Sequence, residues 1–107
     1  VVNTMHERKA LMADRSGAFV ALPGGYGTCD ELFEIITWAQ LGIHRKPVAL
    51  LNVNGFFTPL LAWLDHVVQE GLLRPKHRGL LLVADTVPQL LDLLANWVPP
   101  EPTTKWV

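Results

Sequence analysis

The sequence has few features that would cross-link it, charge it strongly or insert it into a membrane. It contains one cysteine, so no disulfide can form within these 107 residues, and such a composition suits a reducing compartment. Nine basic and ten acidic side chains leave a formal net charge of −1, too little to attract nucleic acid or a membrane surface. Apolar runs such as GLLLVA at 79–84 are too short to span a bilayer. We therefore expect a cytoplasmic protein without nucleic-acid or membrane partners.

The chain nevertheless has enough apolar residues for a core. Half of its residues are hydrophobic, and its length suits one small domain. It opens on VVNTMHERK without an initiator methionine, and Val1-Val2 resembles the end of a strand. We therefore expect further residues upstream.

Apolar patterning predicts alternating strands and helices. Continuous apolar runs predict buried strands at 18–22, 47–53 and 79–84, with a strand remnant at Val1-Val2. Helical spacing predicts helices over 5–16, 28–41, 58–70 and 88–97. This alternation predicts a Rossmann-like three-layer α/β/α fold with a parallel sheet, of which these residues form about the C-terminal half. We expect residues 1–98 to belong to one domain and residues 99–107 to form a proline-rich tail.

The segment ALPGGYGTCDE, residues 21–31, places three glycines between the first full strand and a long helix. Ligands of open α/β sheets bind where strands end and helices begin. Glycine permits a close approach of the backbone or a positive φ, and the helix start offers unpaired amides to an anion. The segment lacks the third glycine of GxGxxG and the GK[ST] of a P-loop. Its chemistry predicts an anion site, and a tight turn that requires glycine is the alternative.

Two sets of polar residues near this junction, the pair Thr28 and Glu31 and the segment at residues 5–9, each have a structural and a functional interpretation. Thr28 and Glu31 have the spacing of a capping box, in which Thr28 would begin the helix and Glu31 would reach back to it. The segment MHERK, residues 5–9, has the composition of a solvated helix face. It also follows the strand remnant, at the ligand-binding edge, where an arginine can hold a phosphate or a carboxylate.

Other candidate groups favour structural roles. Cys29 lies near a helix start, where thiol pKa values fall, but no histidine is paired with it in sequence. The four histidines lack metal-ligand spacing, so we expect no metal site. The segment RPKHR, residues 74–78, is interpreted as a solvated basic turn, with an anion patch as the alternative. The helical tryptophans Trp38, Trp63 and Trp97 are interpreted as packing or interface residues.

MHERKALM followed by PGGYGTCDE resembles the LOG family, the cytokinin riboside 5′-monophosphate phosphoribohydrolases long mislabelled as lysine decarboxylases. The family motif PGGxGTxxE is matched at every fixed position. The similarity extends through EIITWAQLGIHRKPVALLNVNGFF to about residue 95.

The resemblance implies roles for particular residues. Arg8 and Glu31 match the family's catalytic pair, and Lys9 lies beside the arginine in a substrate-contacting dipeptide. Thr37 matches a further ligand contact. The loop that surrounds the nucleotide phosphate is matched by Gly24, Gly25, Tyr26, Gly27 and Thr28.

The resemblance also implies an activity. It implies a homodimer that needs no metal or redox cofactor and hydrolyses the N-glycosidic bond of cytokinin nucleotides or of purine nucleotides such as AMP. The products would be free base and ribose 5-phosphate. Family members carry about eighty further N-terminal residues, so the activity of this chain alone is a separate question. The alternative is a nucleotide-binding module of related fold that does not cleave its ligand.

Overall fold

The computed structural model describes residues 17–100. The predicted helix over 5–16, the strand remnant at Val1-Val2 and residues 101–107 of the predicted tail lie outside this range. The described elements are β1 (Phe19–Ala21), α1 (Tyr26–Gln40), β2 (Val48–Leu51), a 3₁₀ turn (Val53–Gly55), α2 (Thr58–Gln69), α3 (Pro75–Arg78), β3 (Leu81–Ala84) and α4 (Val87–Ala95). None of the described helices is long and apolar enough to cross a membrane.

The three strands form one parallel sheet in the order β1-β2-β3. Phe19 lies opposite Val48, and Val48 lies opposite Leu81, so the strands begin at one level. Their carboxyl ends therefore meet at one edge of the sheet, as the predicted alternation requires.

Helices cover both faces of the sheet. Val48 and Leu50 point from β2 to one face and pack against Leu32, Ile35 and Trp38 of α1, with α2 beside them. Ala49 points to the opposite face, where it packs with Ala84 and with Leu90 of α4. The alternation of strand side chains thus builds two cores, one on each side of β2. The predicted α/β class with a parallel sheet is confirmed.

Two predicted helix ends are confirmed in detail. Gly42 has φ of 77° and Gly71 has φ of 78°, the left-handed conformation that glycine adopts without steric cost. The amide of Ile43 donates to the carbonyl of Trp38, and the amide of Gly42 donates to Ala39. Leu72 and Gly71 repeat this pattern with Val67 and Val68. Both long helices therefore end in a Schellman motif.

Several predicted boundaries are wrong. The strand predicted at 79–84 begins at Leu81, because Gly79 and Leu80 form a turn after the four-residue helix α3. That helix lies in the segment interpreted as a basic turn. The strand predicted at 47–53 ends at Leu51, and a 3₁₀ turn follows in which Asn54 is left-handed, with φ of 52°. The helix predicted over 28–41, which is α1, starts at Tyr26 rather than at Thr28.

Buried polar side chains fix the segments at both ends of β2. At the amino end, Nε2 of His44 donates to the carbonyl of Ile35 at 2.9 Å, and Nδ1 accepts from the amide of Lys46 at 3.2 Å. Burial lowers the pKa of His44 below 6.5, and the Lys46 charge adds to this effect against the opposing hydrogen bond to Ile35. At the carboxyl end, Oδ1 of Asn52 accepts from the amide of Phe57 at 2.7 Å.

Candidate functional site

A cleft of about 330 Å³ lies beside β1, under the start of α1. Its walls are largely apolar, and the polar side chains among its described lining residues are those of Thr28 and Glu31. The cleft is lined by Phe19, Val20, Ala21, Leu22, Pro23, Thr28, Glu31, Leu32, Ile35 and Val48. A mostly apolar concavity with few polar groups is typical of a small-molecule site.

The loop after β1 delivers the start of α1 to this cleft. The carbonyl of Gly25 accepts the amide of Cys29 at 3.1 Å, the first hydrogen bond of the helix. The amides of Tyr26, Gly27 and Thr28 precede it, and no side chain caps this end of the helix. Such a helix start offers N–H donors and the positive end of the helix dipole, an arrangement that suits phosphate.

Of the three loop glycines, Gly24 permits a close approach, and none has a left-handed backbone. None of Gly24, Gly25 and Gly27 has a positive φ, so the expectation that glycine is needed here for a positive φ is wrong. A Cβ atom on Gly24 would overlap Oγ1 of Thr28 and would lie 2.9 Å from its Cβ. At Gly25 and Gly27 an added Cβ meets nothing within 4 Å, so this side of the loop is open.

The predicted capping box is wrong. Because α1 begins at Tyr26, Thr28 is its third residue and cannot be the N-cap, which is Gly25. Glu31 is therefore the sixth residue of the helix. Its exposed side chain borders the cleft instead of closing the helix end. A threonine does cap a helix at α4, where Oγ1 of Thr86 accepts from the amide of Gln89 at 3.3 Å.

The other predicted site residues divide between two places. Tyr26 is 98% exposed at the helix start, next to the open side of the loop. Oγ1 of Thr37 donates to the carbonyl of Phe33 at 2.6 Å. Thr37 lines a separate apolar groove between α1 and α2, so the structure does not bring it to the cleft with Glu31. Arg8 and Lys9 lie outside the described residues.

The sequence analysis missed the contribution of β1 to the site. Phe19, Ala21 and Leu22 line the cleft, although their apolar run was interpreted only as a buried strand. The signal available was their position immediately before the glycine loop. Within residues 17–100, no three His, Cys, Asp or Glu side chains are grouped to hold a metal ion.

Comparison with known proteins identifies the family. A family model described as "Possible lysine decarboxylase" matches residues 1–94. The chain is 55% identical over 98 residues to the rice protein named probable cytokinin riboside 5′-monophosphate phosphoribohydrolase LOGL3, with 92% of this chain and 46% of the relative covered. Its identity to rice LOGL9 is 57%, covering 92% of this chain and 43% of the relative.

A relative from Arabidopsis thaliana gives the same result. Identity to the cytokinin riboside 5′-monophosphate phosphoribohydrolase LOG2 is 55% over 98 residues, which cover 92% of this chain and 46% of LOG2. The chain therefore spans less than half the length of the curated relatives it matches. The match to the family model extends over most of the sequence, and the chain belongs to the LOG family, whose model bears the lysine decarboxylase description.

Proposed function

We propose that this chain is the part of a nucleoside 5′-monophosphate phosphoribohydrolase that holds the substrate phosphate and supplies a catalytic carboxylate. The substrates are cytokinin riboside 5′-monophosphates or purine nucleotides such as AMP, and the products are free base and ribose 5-phosphate. The observation that carries the proposal is the position of Glu31 on the cleft, together with an uncapped helix start and an open glycine loop. The names of the curated relatives support the same reaction.

The phosphate is proposed to bind at the start of α1. Amides of Tyr26, Gly27 and Thr28 have no intrahelical acceptors, and the open space beside Gly25 and Gly27 leaves room for phosphate oxygens. Holding the phosphate fixes the sugar at a distance from the scissile bond, so binding energy orients the anomeric carbon.

Glu31 is proposed to act at the anomeric carbon. Cleavage of an N-glycosidic bond develops oxocarbenium character, which a nearby carboxylate stabilises. The same carboxylate can orient and deprotonate the attacking water. Arg8 is proposed to assist by holding Glu31 ionised or by promoting departure of the base, and Lys9 is proposed as a further substrate contact. Thr37 lines the groove between α1 and α2, so it is not proposed as a contact in this cleft. The absence of a capping role for Glu31 supports a functional one.

An assay of base release tests the reaction. The purified protein is incubated with AMP and with isopentenyladenosine monophosphate, and free base is followed by chromatography. We expect Glu31→Ala and Arg8→Ala to lower kcat by roughly 10²–10⁴-fold, the usual contribution of a positioned acid, base or electrostatic group. Glu70→Ala, which removes an exposed carboxylate of the region after α2, is the matched control and should retain activity.

The outcomes of this assay separate two functions. Saturable nucleotide binding without base release would favour the alternative, a binding module that does not cleave its ligand. Unchanged base release in Glu31→Ala would contradict the catalytic role of that residue. Circular dichroism of each variant distinguishes lost chemistry from lost folding.

We also propose a homodimer, as the family resemblance implies. Its contact surface is the groove between α1 and α2, where the Phe33 and Trp63 rings meet edge to face with centroids 6.4 Å apart. Trp63 is 54% exposed, and the exposed Leu72 lies in the same groove. Aromatic and aliphatic side chains of this kind are typical of the buried core of an interface. Light scattering should show a dimer that Trp63→Glu converts to monomer, whereas Leu91→Glu, at an exposed leucine of α4, leaves it intact.

The remaining assignments are proposals of the same kind. The single cysteine and the near-neutral charge support a cytoplasmic location, which fractionation of cells expressing a tagged protein would test.

Residues 1–98 are proposed to belong to a single domain. One cooperative unfolding transition, seen at the same temperature by fluorescence and circular dichroism, is the expected result.

A further inference from the structure

The buried side chain of His44 contacts both walls of the Glu31 cleft. On the side of α1, Nε2 of His44 donates to the carbonyl of Ile35 at 2.9 Å. On the side of β1, the rings of His44 and Phe19 have their centroids 5.4 Å apart and their planes inclined at 57°. Ile35 and Phe19 line the cleft, whereas His44 is not among its described lining residues. His44 therefore lies behind the cleft and joins its two walls.

Hydrogen bonds at both nitrogens hold the His44 ring in one orientation. Nδ1 accepts from the amide of Lys46 at 3.2 Å, so the ring is also attached to the segment that leads into β2. One neutral tautomer, with the proton on Nε2, satisfies both bonds. The residue is only 8% exposed, so water does not replace a bond that is lost. The ring therefore cannot turn away from Phe19 without leaving a buried polar group unpaired.

The contact with Ile35 bears on Glu31 through the geometry of α1. Ile35 follows Glu31 by four residues, which is about one helical turn, or about 6 Å along the helix axis. Residues at this spacing lie on one face of a helix, and Leu32 lines the cleft with them. A single turn inside a 15-residue helix is rigid, so the distance from the Ile35 carbonyl to β1 also sets the distance from the Glu31 backbone to β1.

Given the proposed function, we propose that His44 is a positioning residue for the hydrolysis. It sets the separation of the α1 wall from the β1 wall and thereby the place of the Glu31 carboxylate beside a substrate held between them. His44 takes no part in the chemistry itself, because both of its nitrogens are engaged and it lies behind the cleft wall. An apolar side chain at this position would fill the space but would hold neither wall in place.

Rates of base release from AMP by the full chain test this role. His44→Leu removes both hydrogen bonds and the ring, and we expect its kcat to fall roughly tenfold, within the loss that a misplacement of about 1 Å can cause. Its KM should change little, because the backbone amides proposed to bind the phosphate remain. His44→Gln keeps an amide that can donate to the Ile35 carbonyl and should recover most of kcat. Leu90→Ala, buried on the opposite face of the sheet, is the control for lost stability and should retain kcat.

Each rate is divided by the folded fraction, which circular dichroism measures at the assay temperature. An unchanged kcat in His44→Leu, an equal loss in Leu90→Ala, or a His44→Gln variant no better than His44→Leu would overturn the inference and leave the proposed function intact.

Nuclear magnetic resonance of the ¹⁵N-labelled full chain tests the position of Glu31 without any activity. If the unmodified protein releases no base, the proposed function fails, and this measurement alone decides whether His44 positions Glu31. We expect the amide resonance of Glu31 to shift in His44→Leu and to return towards its original position in His44→Gln. A Glu31 resonance that is the same in His44→Leu as in the unmodified protein would overturn the inference.

Discussion

Strands β1 and β2 have similar apolar sequences but different degrees of burial. Val48, Ala49 and Leu50 of β2 are buried, because β2 has a hydrogen-bonded strand on each side and helices over both faces. Within residues 17–100, β1 pairs only with β2, and Val20 at its centre is 39% exposed. The difference arises from neighbours and not from composition.

The less buried of the two strands adjoins the candidate site. Among residues 17–100, β1 has one hydrogen-bonded neighbour where β2 has two. The Glu31 cleft adjoins β1, and the residues of β1 form part of its wall. Apolar residues of β1 thus line this cleft as well as the core.

The largest expected effect separates the core of β2 from the residue that follows β1. Leu50→Ala removes a side chain with no exposed surface and should lower the free energy of unfolding by about 2–5 kcal/mol, since a cavity is left in the core. Leu22→Ala, directly after β1, removes a side chain that is 56% exposed and should cost less than about 1 kcal/mol. Urea unfolding measures both. Equal losses would show that β1 is covered in the protein in solution and would break the comparison.

The next effect tests the loop at the end of β1. Gly24→Ala should destabilise by about 1–3 kcal/mol, because the new Cβ overlaps Thr28. Gly27→Ala meets nothing within 4 Å and lies in the first turn of α1, so it should hold or slightly raise the thermal midpoint. If phosphate binds on this open side, Gly27→Ala should still weaken nucleotide binding. Normal affinity with normal stability in Gly27→Ala would contradict that placement.

A pH-dependent effect is expected at the amino end of β2. The folded-state pKa of His44 is lowered by burial, so the unfolded chain binds a proton that the folded chain does not, between that pKa and 6.5. The contribution of His44 to stability is therefore complete above 6.5 and is lost as the pH falls below it. The slope cannot exceed about 1.4 kcal/mol per pH unit for one proton. The free energy of unfolding of the protein and of His44→Gln, measured at pH 7 and pH 5.5, provides the test. An equal change with pH in both would contradict the prediction.

The smallest effect concerns α4, which covers the sheet on the face of Ala49 and Ala84. Thr86→Ala removes the acceptor for the Gln89 amide and should cost about 0.5–1 kcal/mol at this exposed helix end. Thr28→Ala is the contrasting change, since it also removes a threonine hydroxyl but Thr28 does not cap α1. Thermal unfolding should shift less for Thr28→Ala than for Thr86→Ala. An equal or larger shift for Thr28→Ala would restore the capping interpretation.

Continuous apolar runs and helical spacing predicted most of the described fold. Gly42 and Gly71 indicated the ends of α1 and α2, because the left-handed residue that follows a helix is usually glycine, which has no Cβ to clash. The start of α1 was placed two residues too late, since Gly25 and Gly27 are poor helix formers and Thr28 is a good cap. Gly24 closely approaches the Thr28 side chain at that start, and the capping-box spacing did not indicate this local contact.

The site was predicted in part for similar reasons. The glycine loop and Glu31 were identified from their motif, and Pro23, Thr28 and Glu31 of that motif line the cleft. That Arg45 and Lys76 line one small cavity could not be predicted, because their convergence depends on the sheet that brings β2 and β3 side by side. The sequence of residues 74–78 alone did not indicate that they would lie beside residues 44–46.

Helix α1 joins two surfaces with one rigid element. It runs for 15 residues, with Glu31 on the cleft and Phe33 and Thr37 on the groove that it shares with α2. A rotation of this rod that repacks the groove also swings the carboxylate across the cleft. Mutational scans of the groove should therefore measure base release alongside self-association, because residues of one helix line both surfaces.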